Sequence, residues 1–170
     1  MIHKTTTIPF SYPTFNHGLA YAESYDLLKK FELPLYVIVT NGALAIELFL
    51  KSLTGNYVIR DVVEKVYTSD YEFFVGTSTQ GVDRKSTHLF SKLYKNIPEE
   101  YLSKLTSIWK TLEIQECLKD RLERLSYDFV NSRYCDETGN KFNGSVQDYD
   151  ELIELFKLYE SSGGYSADSY

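Results

Sequence analysis

The most continuous apolar pattern in the chain lies between residues 35 and 53, and it predicts a helix that is buried on nearly every side. At about 100° per residue, one narrow stripe of this helix holds the polar residues Thr40, Glu47 and Lys51. The other positions are apolar and are expected in the core: Ile38, Val39, Ala43, Ala45, Ile46, Phe49, Leu50 and Leu53. Because such a helix needs partners all round, the pattern predicts a bundle of helices.

The residues before this helix predict an extended arm followed by a first helix. Pro9 and Pro13 disfavour helix, so we expect an arm over residues 1–15. Asn16 is a suitable N-cap for a helix over 17–31, in which apolar residues recur at helical spacing. The buried helix then begins at Pro34, runs to about residue 53 and ends at Gly55.

Residues 54–86 show a different pattern. This stretch is rich in β-branched and aromatic residues, and Gly76 and Gly81 interrupt it. Short helices and short strands are both compatible with these residues. We therefore predict an irregular or short β insertion between the second and third helices.

Helical spacing returns in the second half. Thr87 can cap a helix over 88–95, and Pro98 opens another. We place a break near residues 113–115, followed by a helix that carries Leu118, Leu122, Leu125 and Phe129 on one face. Ser145 and Asp148 have the spacing of a capping box for the last helix, with Leu152, Ile153, Leu155, Phe156 and Tyr159 as its apolar face. The fold class is thus all-α: an antiparallel bundle of about five helices in one domain over 1–160, with a flexible tail over 161–170.

Composition and charge narrow the function classes. A chain of 170 residues that is 43% apolar is typical of a single domain. Its formal charge of −6 opposes sequence-independent attraction to phosphate backbones, so any contact with nucleic acid must be local. Residues 1–7 do not resemble a secretory leader, and no apolar stretch reaches the roughly 20 residues of a membrane span. We expect a cytoplasmic protein with no membrane partner.

The two cysteines and the basic residues of the second half predict no special chemistry. Cys117 and Cys135 fall in one predicted helix, roughly 27 Å apart, so no intrachain disulfide is expected. Arg121, Arg124 and Arg133 are interleaved with acids, which favours a solvated face of mixed charge. No metal-ligand spacing, phosphate loop or dinucleotide fingerprint occurs, and we predict neither metal nor cofactor.

The acid and the base on the buried helix are the first candidate site residues. Glu47 and Lys51 lie four residues apart, in the orientation that stabilises exposed helices by a few tenths of a kcal/mol. On a buried helix a charge needs more than one partner. We hypothesise that Arg133 contacts Glu47, and we assign Asn41, Glu47 and Lys51 as structural polar residues.

His88 is the second candidate. At a predicted helix N-terminus the helix dipole favours the neutral imidazole, which can act as a base or as a hydrogen-bond partner. A simple contact of the first helical turn is the alternative interpretation.

Four segments together resemble the HEPN superfamily of helical domains. Asn41 to Leu53 is similar to the family's Asn-x-Ala-x-x-x-Glu-x-x-Leu-Lys helix, and Thr87-His88-Leu89 to its His-Asp-Leu start. The turn Ile97-Pro98-Glu99-Glu100 and the segment Phe129 to Glu137 complete the resemblance. It implies a bundle of four or five antiparallel helices and frequent homodimers. In many members it also implies a metal-independent ribonuclease of toxin-antitoxin or phage-defence systems.

The ribonucleases of that family use an Arg-x(4 to 6)-His pair, and this chain lacks it: no histidine follows Arg121, Arg124 or Arg133 at that spacing. We therefore expect a binding or assembly module rather than an enzyme. Its expected partners are a second copy, RNA or a nucleotide near Arg133, Tyr134 and His88, or another protein. One alternative is a ribonuclease with a rearranged site, in which His88 is the base and Arg133 or Arg84 contacts the phosphate. The other is a scaffold with no link to nucleic acid.

Overall fold

The computed structural model describes residues 5–8, 10–54, 57–63, 75–81, 87–133 and 141–163, with the backbone alone in its strands and at residue 133. The described part is mostly helical, as predicted. Its helices are α1 (Tyr12–Lys30), α2 (Leu35–Leu53), α3 (Phe90–Tyr94), α4 (Glu99–Thr111), α5 (Leu118–Arg124), α6 (Asp128–Arg133) and α7 (Val146–Ser161).

Helix α2 lies at the centre of the molecule. It begins after Pro34 and ends at Leu53, and it packs against α1, α3, α6 and α7. The eight apolar residues expected in the core are all buried. The prediction of a buried helix with neighbours on several sides is thus confirmed, and the rest of the fold forms around this helix.

Helix α1 begins at Tyr12. The predicted arm over 1–15 therefore extends too far, and the predicted N-cap Asn16 lies inside the helix. Ser11 is the N-cap, and its hydroxyl accepts a hydrogen bond from the Thr14 amide at 3.4 Å. Pro13 lies in the first turn, where the missing amide hydrogen costs nothing. The Ser11 amide also donates to the Ser52 carbonyl at 3.0 Å, which ties the start of α1 to the end of α2.

Three strands form one antiparallel sheet: β1 (Thr5–Ile8), β2 (Tyr57–Val63) and β3 (Val75–Gly81). The strand order is β1-β2-β3. Thr5 pairs with Arg60 in the first ladder, and Tyr57 pairs with Gly81 in the second. That residues 54–86 are an insertion into a HEPN-like bundle stays a prediction.

The second half is divided into shorter helices than predicted. The break near 113–115 is confirmed: α4 ends at Thr111, and Glu113 has a left-handed φ of 55°. A second break separates α5 from α6, where the Ser126 hydroxyl accepts from the Ser91 amide at 2.8 Å. Neither glycine nor proline occurs at this break, and the contact with α3 stabilises it instead. Cys117 therefore caps α5 instead of lying inside a helix, and Cys135 lies outside the described residues.

A buried carboxylate fixes the connection to α7. The side chain of Asp128 is fully buried and accepts from the amides of Asn143 at 2.8 Å and Gly144 at 2.6 Å. The Tyr149 hydroxyl donates to it at 2.9 Å. The predicted capping box of Ser145 and Asp148 then starts α7, and the five apolar residues predicted for this helix are buried.

The predicted solvated face on α5 is wrong for Arg121, whereas the side chain of Arg124 is 36% exposed. Arg121 is 6% exposed, and its guanidinium contacts Glu116, Asp148 at 2.9 Å and Glu151 at 2.6 Å. Arg124 contacts Glu116 and Asp148, each at 2.8 Å. Acids on α7 and before α5 neutralise both arginines, so this cluster connects two helices.

Among the residues that the structure describes, one helix is long and apolar enough to cross a membrane by length and composition. Leu35–Leu53 has 19 residues and a mean hydropathy of 1.4 over its most apolar window, 56% of which is buried inside the protein. A core helix of a globular domain passes the same test.

Candidate functional site

Helix α2 carries one acidic side chain into the interior. Glu47 is 3% exposed, and its Oε1 lies 2.6 Å from Lys51 Nζ one turn later. Glu47 and Lys51 thus lie together on one side of α2, as the predicted polar stripe requires. Apolar residues of the same helix form the core. A buried carboxylate needs partners for both of its oxygens, because an unpaired charge in the interior is costly.

His88 is the second partner of this carboxylate. Its Nδ1 lies 3.0 Å from Glu47 Oε1 and 2.9 Å from Oε2, so it contacts both oxygens. The ring packs beside Phe129 of α6, with 5.4 Å between ring centroids. The side chain of His88 is nevertheless 52% exposed, so the ring joins a buried acid to the surface.

The backbone around His88 holds the ring outside the helix. The prediction that Thr87 caps α3 is wrong. Its hydroxyl accepts a hydrogen bond from the Leu89 amide at 3.2 Å instead. Leu89 is extended and is the N-cap, and α3 begins at the buried residue Phe90. His88 thus lies two residues before the helix, in a segment fixed on either side.

Helix α6 forms the other wall of the site. Thr40 Oγ1 and Ser132 Oγ are 2.9 Å apart across the seam between α2 and α6. Phe129, which also lies on α6, contacts His88 near Glu47, two turns after Thr40 on α2. Asn41 donates to the Val37 carbonyl of its own helix at 2.9 Å.

The geometry assigns different roles to the two ring nitrogens of His88. An ionised carboxylate only accepts hydrogen bonds, so in this contact Nδ1 carries the proton and donates a hydrogen bond to Glu47. Such a contact fixes the tautomer and the orientation of an imidazole. Within the described part of the chain nothing hydrogen-bonds to Nε2. This atom can accept a proton, or in the protonated ring donate a hydrogen bond to an anion.

The structure brings together two residues that the sequence treated separately. Glu47 was assigned as a structural partner of Lys51, and His88 as a candidate base, with no link between them. Arg133 ends α6 and its side chain is not described, so the hypothesised contact with Glu47 stays untested. Arg84 and Tyr134 lie outside the described residues. Within those residues no group of three His, Cys, Asp or Glu side chains is arranged to hold a metal ion.

No protein-family model, curated protein or solved structure matches this chain at a significant level. The resemblance to the HEPN superfamily therefore depends on the four sequence segments alone, and it enters the function below as part of a proposal.

Proposed function

We propose that this protein is a HEPN-like helical module, with an insertion over 54–86, that binds RNA or a nucleotide through a local site centred on His88. The observation that carries the proposal is the contact of His88 Nδ1 with both oxygens of the buried Glu47 carboxylate. Two of the segments that resemble the family, the helix with Glu47 and the start with His88, meet at this contact. A cytoplasmic role in a toxin-antitoxin or phage-defence system is the setting that the resemblance favours.

The chemistry of the site suits a phosphate group. A fixed imidazole with an exposed Nε2 can donate a hydrogen bond to a phosphate oxygen when the ring is protonated. Glu47 accepts from Nδ1 at 2.9 Å, which leaves Nε2 as the ring nitrogen available to a phosphate. The chain as a whole carries a charge of −6, so we expect contacts with few phosphates and a shallow dependence of affinity on salt.

Binding to labelled single-stranded RNA tests the proposal. Fluorescence anisotropy at low salt with EDTA should show binding by the wild type and a loss of at least about tenfold in His88→Ala, which removes the one contact that carries the proposal. His17→Ala is the matched control, because His17 is an exposed histidine of α1. Uridine monophosphate as competitor separates a nucleotide site from one that needs a longer strand. Equal binding by wild type and His88→Ala would contradict the proposal, and no binding at all would favour a scaffold.

The same contact favours a second candidate, a metal-independent ribonuclease with a rearranged site. His88 Nε2 would take the proton of a ribose 2′-hydroxyl, whose oxygen then attacks the adjacent phosphorus while the bond to the 5′-oxygen breaks. The products are a 2′,3′-cyclic phosphate and a 5′-hydroxyl, whose oxygen receives a proton from water, while the proton held by His88 returns to solvent. Arg133 or Arg84 would stabilise the phosphate charge.

A gel assay on the same RNA distinguishes the two candidates. Cleavage in EDTA that disappears in both His88→Ala and Arg133→Ala would make the protein an enzyme. Binding without cleavage supports the module. Circular dichroism of each variant ensures that a loss reflects the site and not the fold.

A further inference from the structure

A short segment between α5 and α6 connects the His88 site to the turn before α7. We call residues 126–129 the link segment. At one end of it, the Ser126 hydroxyl accepts a hydrogen bond from the Ser91 amide of α3 at 2.8 Å. At the other end, Phe129 packs beside the His88 ring, with 5.4 Å between ring centroids. The link segment thus contacts α3 and the residues just before it at two points.

The His88 ring is held by two neighbours of different kinds. Glu47 accepts a hydrogen bond from Nδ1, at the edge of the ring. Phe129 lies beside the ring at an interplanar angle of 35° and is itself buried. The contact with the carboxylate fixes the position of Nδ1 but not the tilt of the ring about that atom, so the packing against Phe129 supplies the second restraint. The direction in which Nε2 points therefore depends on where the link segment holds Phe129.

Asp128 fixes the link segment to the turn before α7. Its fully buried carboxylate accepts from the amides of Asn143 at 2.8 Å and Gly144 at 2.6 Å, and from the Tyr149 hydroxyl at 2.9 Å. The turn leaves no room for a side chain here, since a β-carbon on Gly144 would lie 2.7 Å from Asp128 Oδ2. The turn is thus built closely around this carboxylate, which is next in sequence to Phe129.

A buried charge at this position has a cost that holding two helices together does not require. None of the ion pairs among the described residues includes Asp128. Burial raises the pKa of its carboxyl, although its three hydrogen bonds act in the opposite direction. A neutral side chain of similar size would avoid the cost of burying the charge. Hydrogen bonds to a charged acceptor are shorter and stronger than those to a neutral one, so what Asp128 contributes is accurate placement of the link segment.

We propose that Asp128 is a positioning residue of the His88 site. By fixing the link segment to the turn before α7, it holds Phe129 against the imidazole and so sets the direction of Nε2. The inference rests on the proposed function, because the direction of Nε2 matters for RNA only if this atom contacts a phosphate. The positioning itself can be measured in the free protein, so the two proposals can fail separately.

Nitrogen-proton NMR of the His88 ring, recorded on free protein labelled with ¹⁵N, tests the positioning. Asp128→Asn keeps the size of the side chain, but it places an amide group that donates hydrogen bonds where a carboxylate oxygen accepts them. The link segment should move, so the ring signals of His88 should shift. In the anisotropy assay the affinity for RNA should fall by about three- to tenfold.

Asp148→Asn is the matched control. Asp148 is also a buried acid at the start of α7, but its hydrogen bonds and ion pairs among the described residues go to Ser145, Arg121 and Arg124. Its replacement should leave the His88 signals in place at a temperature where circular dichroism shows both variants folded. His88 signals that stay in place in Asp128→Asn, or that shift equally in both variants, would overturn the inference.

Two further variants test the mechanism. If the effect passes through Phe129, the shift that Asp128→Asn causes should be smaller in a Phe129→Leu background, and an equal shift would overturn this part of the inference. Should Asp128→Asn fail to fold, Tyr149→Phe removes one of the three hydrogen bonds to the same carboxylate. It should cause a smaller shift, and unchanged signals there would overturn the inference. Shifted signals in a protein that binds no RNA would support the positioning and contradict the proposed function.

Discussion

Glu47 carries a charge into the interior of the protein, and its neighbours make this possible. Lys51 approaches one oxygen at 2.6 Å, and His88 Nδ1 contacts both oxygens. Lys51 and His88 thus provide the hydrogen bonds that the buried carboxylate needs, while the apolar residues of α2 pack against the neighbouring helices. A buried acid with these partners orients an exposed imidazole, and this orientation is the basis of the proposed function.

Replacement of Glu47 by alanine should destabilise the fold. The substitution leaves a cavity and removes the counter-charge of Lys51. Breaking a buried ion pair costs about 3–5 kcal/mol, but Lys51 and His88 are partly exposed and regain water, so we expect about 2 kcal/mol. Urea unfolding followed by circular dichroism measures this loss. Glu154→Ala, at an exposed position of α7, is the control and should change the free energy of unfolding by less than about 0.5 kcal/mol.

Glu47→Gln separates orientation from stability. The amide keeps the size of the side chain but can donate as well as accept, so it no longer fixes the Nδ1 proton of His88. We expect RNA binding to fall by about three- to tenfold while the protein stays folded. Anisotropy with the same labelled RNA measures this change. If Glu47→Gln bound RNA as tightly as the wild type, orientation by Glu47 would have no part in binding.

The contact between Glu47 and His88 could not be predicted from the sequence. The two residues are 41 positions apart, and the intervening stretch 54–86 shows no clear helical pattern. Each residue was identified by its local surroundings: Glu47 as an acid on an apolar helix, and His88 as a histidine near a helix start. Their meeting depends on how α3 packs against α2, which local pattern does not encode.

At the scale of elements, α1 and α2 pack closely where Gly18 faces an aromatic ring. A β-carbon on Gly18 would lie 2.6 Å from the ring of Phe49. That ring cannot move away easily, since it packs against Phe15 with 4.8 Å between centroids and against Phe156 with 4.7 Å. Gly18 therefore sets the distance between the two longest helices of the described chain.

Gly18→Ala should destabilise the protein, although alanine is the better helix former. Inside a helix the exchange normally stabilises by about 1 kcal/mol. Here overpacking against Phe49 costs about 1–3 kcal/mol, so the net effect should be a loss of about 1 kcal/mol. Thermal unfolding measures it. A melting temperature above that of the wild type would show that α1 and α2 can move apart freely.

The elements that the sequence predicted correctly are those with strong local signals. Helix α2 follows from its apolar residues, and the start of α7 follows from the spacing of Ser145 and Asp148. The start of α1 was missed because Pro13 was read as a breaker, although it lies in the first turn. The break between α5 and α6 was missed because Ser126 forms it through a contact with α3. Tertiary contacts determine such helix boundaries, and the local sequence pattern gives no information on these contacts.

At the scale of the whole molecule, a network of ion pairs joins the start of α5 to the start of α7. Arg124 bridges Glu116 and Asp148, and Arg121 adds Glu151. Burial by itself would raise the pKa of Asp148, but hydrogen bonds from Arg124 and Ser145 and the charge of Arg121 lower it to about 2. Hydrogen bonds from Arg124 and Arg121 also lower the pKa of Glu116, against the effect of its burial.

These lowered pKa values predict that the protein loses stability in acid. An acid whose pKa is lower in the folded state contributes stability above its unfolded pKa, and the contribution disappears as the pH falls towards the folded pKa. For Asp148 the loss runs from about pH 4 to about pH 2 and amounts to about 2 kcal/mol. Urea unfolding at several pH values should show it. Asp148→Asn should be less stable at pH 7 and should lack this part of the pH dependence; an unchanged profile would exclude Asp148 as its source.

The most direct test of the proposed function is a nitrogen-proton NMR spectrum of the His88 ring, recorded with and without RNA. In free protein labelled with ¹⁵N, Nδ1 should carry the proton that Glu47 accepts, and Nε2 should be the atom that exchanges protons with solvent. On addition of a short single-stranded RNA, the Nε2 signal should shift in proportion to the bound fraction, while the ring signals of His17 stay unchanged. An unchanged His88 spectrum at saturating RNA, or a proton on Nε2 and none on Nδ1 in the free protein, would contradict the account.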